Sequence, residues 1–172
     1  MMVYIIVEGI TDKALVRKLL SDLGKIEKTD YQFLGLKGIE SVRNTLENLT
    51  EKDLSQNRYF AIVDADRSFR DRKNDMETWT QERVDFFIFP NNDDDGDLET
   101  LLLSHIDSSN KIIRCFDAYK ECVGKEINNK AKLYAYTTLE HDKRPEEYIE
   151  TLDMPESFTA LTTKLQNLFE GI

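Results

Sequence analysis

The sequence predicts an α/β fold: four short strands in a mainly parallel sheet, helices on both faces, and a helical extension at the C-terminal end. Three observations lead there. Apolar runs alternate with amphipathic helical stretches as far as Pro90. Three of the four runs are nearly continuous, as in strands covered on both faces. After Pro90 every recognisable segment has helical spacing. Such alternation implies right-handed crossovers and parallel pairing.

The strands are expected over 3–7, 31–35, 59–64 and 85–89. The first crossover carries Leu15, Val16, Leu19, Leu20 and Leu23 as one stripe. The second carries Ile39, Val42, Leu46 and Leu49, at steps of three, four and three. The third, 68–84, is polar; a weak helix is expected near 75–83, anchored by Trp79. Beyond Pro90 helices are expected over 98–106, 111–123, 130–139 and 157–169. The last aligns Phe158, Leu161, Leu165, Leu168 and Phe169. With few apolar residues to spare, this tail should pack on the sheet. The chain thus reads as one domain, 1–172, with an α/β core over 1–106 and a helical extension over 107–172.

Composition narrows the function. With 33 Asp plus Glu against 23 Lys plus Arg, the net charge is −10. That argues against a generic basic grip on nucleic acid, unless metal ions supply positive charge locally. Cys115 and Cys122 would share a helix face with Ile112, Phe116, Tyr119 and Val123, so buried core thiols are expected. This suits a reducing compartment. The chain opens on a strand-like run without a charged prefix, and no apolar stretch approaches the roughly 18 residues of a membrane span. A cytoplasmic protein with no membrane partner is the expectation.

The informative feature is where the acids fall. In an open parallel sheet, functional groups gather beyond the carboxyl ends of the strands. The first strand ends at Glu8, with Asp12 in the following helical turn. The third, "FAIVDADRSF", ends at Asp64, with Asp66 beyond. The fourth, "FIFPNNDDDGDLETLLL", leads to Asp97 and Glu99 at a helix start. At about 4 Å and an effective dielectric near 20, each like-charge pair costs on the order of 4 kcal/mol. A divalent ion relieves this, and hard oxygen ligands suit Mg²⁺, Mn²⁺ or Ca²⁺. With only two histidines and two cysteines, zinc is not expected. Plainer roles exist for several acids: a helix-dipole residue for Asp12, a turn for Asp66, an N-cap for Asp97, a solvated loop for Asp93 to Asp95.

Two motif matches fail or weaken. Aligning Gly96 with the glycine of a calcium-binding EF-hand loop puts Leu102 where a bidentate Glu is required. "DADRS" is similar to the Asp-x-Asp of haloacid-dehalogenase phosphatases, but that pair belongs on the first strand; it stays as a weaker alternative.

The stretches "IIVEGITDKALVRKLL", "GLKGIESVRNTL" and "FAIVDADRSF" together resemble the Toprim domain of topoisomerases, bacterial primases and OLD-family nucleases. They cover roughly Met1 to Pro90 on a Rossmann-like frame. "GDLETLLL" looks like the extra acidic segment of the nuclease branch and of small stand-alone Toprim-like proteins. The resemblance implies Mg²⁺- or Mn²⁺-dependent phosphoryl transfer with one or two ions: a nuclease cleaving a phosphodiester of DNA or RNA. By position Glu8 would hold metal or handle protons. Asp64 and Asp66 would form the metal-binding pair, with Asp12, Glu99 and Asp97 as further acids. A late lysine would be catalytic; "NNKAKLYAY" offers Lys130 and Lys132, of which Lys132 is the choice, leaving Lys130, with Arg67, to contact substrate. The basic run Arg67, Arg70, Arg72 and Lys73 is a candidate phosphate contact, with ordinary surface charge as the plainer account. Phosphate-binding loop, primase zinc segment and topoisomerase tyrosine segment are all missing. A lone unit of this kind would work with a protein partner supplying ATPase or targeting, or as a homodimer. The alternative from another class is a non-catalytic binding module.

Overall fold

The computed structural model describes residues 1–35, 37–125 and 127–170. Leu36, inside the second stretch that carries the resemblance, lies outside them. Four strands, β1 (Val3–Val7), β2 (Tyr31–Gly35), β3 (Arg58–Asp64) and β4 (Asp85–Phe89), form one sheet in the order β2-β1-β3-β4. All three pairings are parallel. The register sets Val7 against Ile62 and Asp64 against Phe89, so the carboxyl ends of β1, β3 and β4 form one rim. The α/β expectation holds. β3 starts one residue early, because Arg58 pairs with Val3.

Alternate side chains divide the core in two, as the period of a strand requires. On one face Val3, Ile5, Val7, Phe60, Ile62, Phe87 and Phe89 meet α1 (Ile10–Asp22) through Leu15, Val16, Leu19 and Leu20. On the other, Ile6, Ala61, Val63 and Ile88 meet α2 (Ile39–Glu47) and α4 (Phe69–Thr80). A short α3 (Glu51–Gln56) lies between α2 and β3 in sequence; Thr50 and Asp53 cap its start reciprocally. β2 ends on Gly35 at φ +92°, where a side chain would overlap the carbonyl oxygen of Val7.

The third crossover departs from expectation. α4 begins at Phe69, well before residue 75. Its first turn is capped by Ser68, whose hydroxyl accepts from the Asp71 amide at 3.2 Å, and by Asp95, which accepts from the Phe69 amide at 2.6 Å. Its fully buried anchor is Met76; Trp79 is half-buried at the edge, with the Arg43 guanidinium 5.9 Å from its ring centre.

Beyond β4 come α5 (Leu98–Ser104), α6 (Lys111–Val123), α7 (Asn129–His141), α8 (Pro145–Ile149) and α9 (Thr159–Asn167), the last preceded by a 3-10 turn at Glu156–Phe158. Leu101, Leu133, Ile149, Phe158, Leu161 and Leu165 join the α1 face, so this part of the tail packs as expected. α6 does not. Only its Ile113 is buried, and Cys115 and Cys122 are exposed, so they are not core thiols. Helical spacing fixed which residues share a face, but among the described residues that face is only partly covered, with Ile112 and Phe116 half-buried and Cys115, Tyr119, Cys122 and Val123 exposed. Among the described residues no helix is long and apolar enough to cross a membrane.

Candidate functional site

The rim is assembled by helix starts. After β1, Gly9 leaves the strand in extended backbone and α1 begins. Asp12, in its first turn, accepts from the Gly9 amide at 2.7 Å and is almost wholly buried. Asp64 ends β3 at 4% exposure, and its Oδ1 accepts from the Leu98 amide, the first of α5, at 3.0 Å. Glu8 Oε2 accepts from the Asp64 amide at 3.3 Å. Glu99, one residue into α5, is 3% exposed, and its Oε2 is buried without a hydrogen-bond partner. Four acids from three separate parts of the chain therefore gather over two strand ends and two helix starts.

α7 brings the cation. Asn128 caps it by accepting from the Ala131 amide at 2.9 Å, and Asn129 donates to Thr100 Oγ1 at 2.9 Å, tying α7 to α5. Lys130 follows, in the field of Glu99, Asp64, Asp12 and Glu8. Two clefts open beside these helix starts. The larger, about 640 Å³, is lined by Asp66, Arg67, Arg72, Asp97, Thr100 and Asn129 among others. The smaller, about 330 Å³, includes Asp12, Glu99 and Lys130.

The electrostatics follow from burial and like charge. Burial, then the Asp12 and Glu8 carboxylates, pushes Asp64 up to about 9, against the pull of the Leu98 amide. Burial raises Asp12 to about 6, opposed by its bond to Gly9 and helped by Glu8. Burial raises Glu99 to about 7, with Lys130 opposing. Glu8 is raised too, by burial, against its bond from Asp64. Burial works against the charge on Lys130, yet the surrounding carboxylates hold its pKa above the usual value.

Not every expected residue joins the cluster. Asp66, at φ +55°, is exposed and pairs with Arg72, whose guanidinium lies 2.9 Å from it and also donates to the Asp64 carbonyl at 2.8 Å, while the Asp66 charge still acts on Glu8. Asp97 is the N-cap of α5, accepting from the Thr100 amide at 2.7 Å. Arg67 lines the larger cleft. Lys132 is placed elsewhere: it pairs with Asp117 of α6 at 2.6 Å, so the lysine at the acids is Lys130. The two lie about 200° apart around the helix, so only one can face the rim. The Thr100–Asn129 bond carried no signal in the sequence, because it depends on α5 and α7 meeting; Asn128, a local N-cap, could have been read from its residue type just before the helix.

Among the described residues no three acids, histidines or cysteines stand close enough together to clasp an ion. Glu8, Asp12 and Asp64 each accept from a backbone amide, Asp97 caps α5 and Asp66 pairs with Arg72. The donor set nonetheless fits a hard divalent cation: the side chains are oxygen donors, and buried Glu99 Oε2 has no partner of its own.

No curated protein and no solved structure matches the chain. A family model, described as a protein of unknown function (DUF3226), matches residues 2–152, which takes in β1 through α8, the four acids and Lys130, and leaves out α9. The chain belongs to that family.

Proposed function

We propose that this chain is a metal-dependent phosphoryl-transfer protein of the Toprim type, a nuclease that cleaves a phosphodiester of DNA or RNA. The observation that carries the reading is the gathering of Glu8, Asp12, Asp64 and Glu99 at one rim, with Glu99 Oε2 buried and unpartnered. Mg²⁺ or Mn²⁺ bound there supplies a Lewis acid for water and for the charge of the phosphate. Asp64, Asp12 and Glu99 would hold it, with Glu8 beside them. Glu8, the least buried of the four, would also take the proton of the attacking water. The water oxygen bonds to phosphorus, the bond to the departing sugar oxygen breaks, and that oxygen takes up a proton. Lys130 offsets charge building on the phosphate oxygens. Arg67 and Arg72, in the larger cleft, would contact a neighbouring phosphate.

A second reading, a non-catalytic binding module, is favoured by one observation: no three of these groups stand at clasping distance. Cleavage of labelled single- and double-stranded DNA and RNA separates the two. With Mn²⁺ or Mg²⁺ the wild type should cut, and Asp64→Asn should lose about 100-fold or more. Lys130→Ala should lose at least about tenfold, and Lys132→Ala less than about twofold. No cleavage, alone or with candidate partners, together with no Mn²⁺ heat in calorimetry, leaves the binding module.

A further inference from the structure

α6 is amphipathic, yet most of its apolar side is exposed, with only Ile112 and Phe116 of that side half-buried. Ile112, Cys115, Phe116, Tyr119, Cys122 and Val123 fall within an arc of about 120°. Tyr119 is 58% exposed and Val123 41%. Beside the arc a groove of about 540 Å³ runs between α6 and α7, bounded by Ile112, Phe116 and Tyr119 on one side and Ala135 and Leu139 on the other. Leu139 is 72% exposed. A contiguous apolar surface of this kind on an acidic chain marks an interface.

Three features say what covers it. First, the apolar positions are symmetric about their own centre: Ile112, Phe116, Tyr119 and Val123 follow steps of four, three and four. An antiparallel copy of α6 therefore sets Ile112 against Val123 and Phe116 against Tyr119 twice over, as a two-fold interface requires. Second, the arc holds no charge, and α6 carries Lys111, Arg114 and Lys120 against Asp117 and Glu121. Two chains of net −10 would meet where their repulsion is least. Third, the chain exposes 9857 Å². A compact monomer of its mass exposes about 8,700 Å², so the molecule as a whole has about 1,100 Å² more, of which the α6 arc is one part. A stable pair buries about 800 Å² per partner.

We propose that α6 is the interface of a homodimer, in which two copies pack antiparallel across this arc. The proposal is independent of what the acid rim does. It also accounts for the thiols. Seven residues along one helix separate Cys115 and Cys122 by about 10 Å, too far for a bridge within one chain. In the dimer Cys115 of one copy lies beside Cys122 of the other.

Light scattering or sedimentation of the full chain, from low to high micromolar concentration, tests this. The expected species has twice the 20.1 kDa mass of the chain. Phe116→Glu and Tyr119→Glu should each weaken the dimer at least about 100-fold with unchanged circular dichroism, as expected for anchors at the centre of an interface. Arg114→Glu, on the far side of the helix, should leave it intact. A short bis-maleimide should link two wild-type chains and fail in the Phe116→Glu variant. A monomer at every concentration overturns the proposal, even where a different protein or a lipid vesicle binds the face. A dimer that persists in both glutamate variants overturns it as well.

Discussion

Among the described residues Asp64 has the carboxyl pushed furthest from its usual value. Its carboxyl sits at about 9 in the folded chain, driven there by burial and by its acidic neighbours, against about 4 for a free aspartate. The folded state therefore keeps a proton that the unfolded state has released. The stability tied to that proton is complete below about pH 4 and is lost as pH climbs to 9. Asp12 at about 6 and Glu99 at about 7 act with the same sign over narrower ranges. Asp64→Asn removes the charge and keeps an oxygen to accept from Leu98. In EDTA it should match wild type near pH 4 and exceed it by about 1–3 kcal/mol at pH 8 in urea unfolding. A variant less stable than wild type at pH 8 would show that the Asp64 charge is already well compensated. Much of this was legible from sequence, since acids that end apolar runs are conspicuous. The parting of Asp64 from Asp66 was not. It follows from a left-handed turn and from Arg72, which lies in the next helix.

Among elements, α4 is the one that local pattern misplaced. Its surface is polar from Arg70 to Thr78, so periodicity had little to grip, and its start depends on Asp95, which arrives from beyond β4. Met76→Ala should cost about 2–5 kcal/mol, as deletion of a fully buried side chain does. Trp79→Ala should cost clearly less, about 1–2 kcal/mol, because one side of that ring faces water. Equal losses in urea titrations would mean that Trp79 is the true anchor. The strands were easier, because burial on both faces leaves an uninterrupted apolar run. α3 and α8 are too short for a period to show; their caps, Thr50 with Asp53 and the Pro145 start, were the only local marks. α6 exposes the limit from the other side, since amphipathicity predicts a partner without saying that it belongs to the same chain.

For the molecule as a whole, ion binding and folding should be coupled. The donors proposed for it lie just past β1 and in α1, β3 and α5, so an unfolded chain would have no site to offer. An ion bound there would also displace the protons of Asp64 and Glu99, and its binding should then tighten as pH rises. At about 100 times its dissociation constant Mn²⁺ would add about 2.7 kcal/mol, or about 5–10 °C in the thermal midpoint of a chain this size. Calorimetric scans should show that shift at pH 8, a smaller one at pH 5.5, and none in Asp64→Asn. A shift that is equal in the wild type and the variant would place the ion somewhere else. The sheet order, too, decides which acids can meet: β1 and β3 are neighbours, so Glu8 and Asp64 arrive side by side.

That adjacency leans on an atom that is not there. Gly35 closes the last rung between β2 and β1, where even one methyl group would strike the Val7 carbonyl. Just past it, the Gly38 amide is bonded to the carbonyl of Glu8 at 3.0 Å. An alanine at 35 would have to pry the outer strand loose, and the first acid of the rim would swing with it. The smallest residue in β2 thus sets the aim of a carboxylate in a different strand's wake.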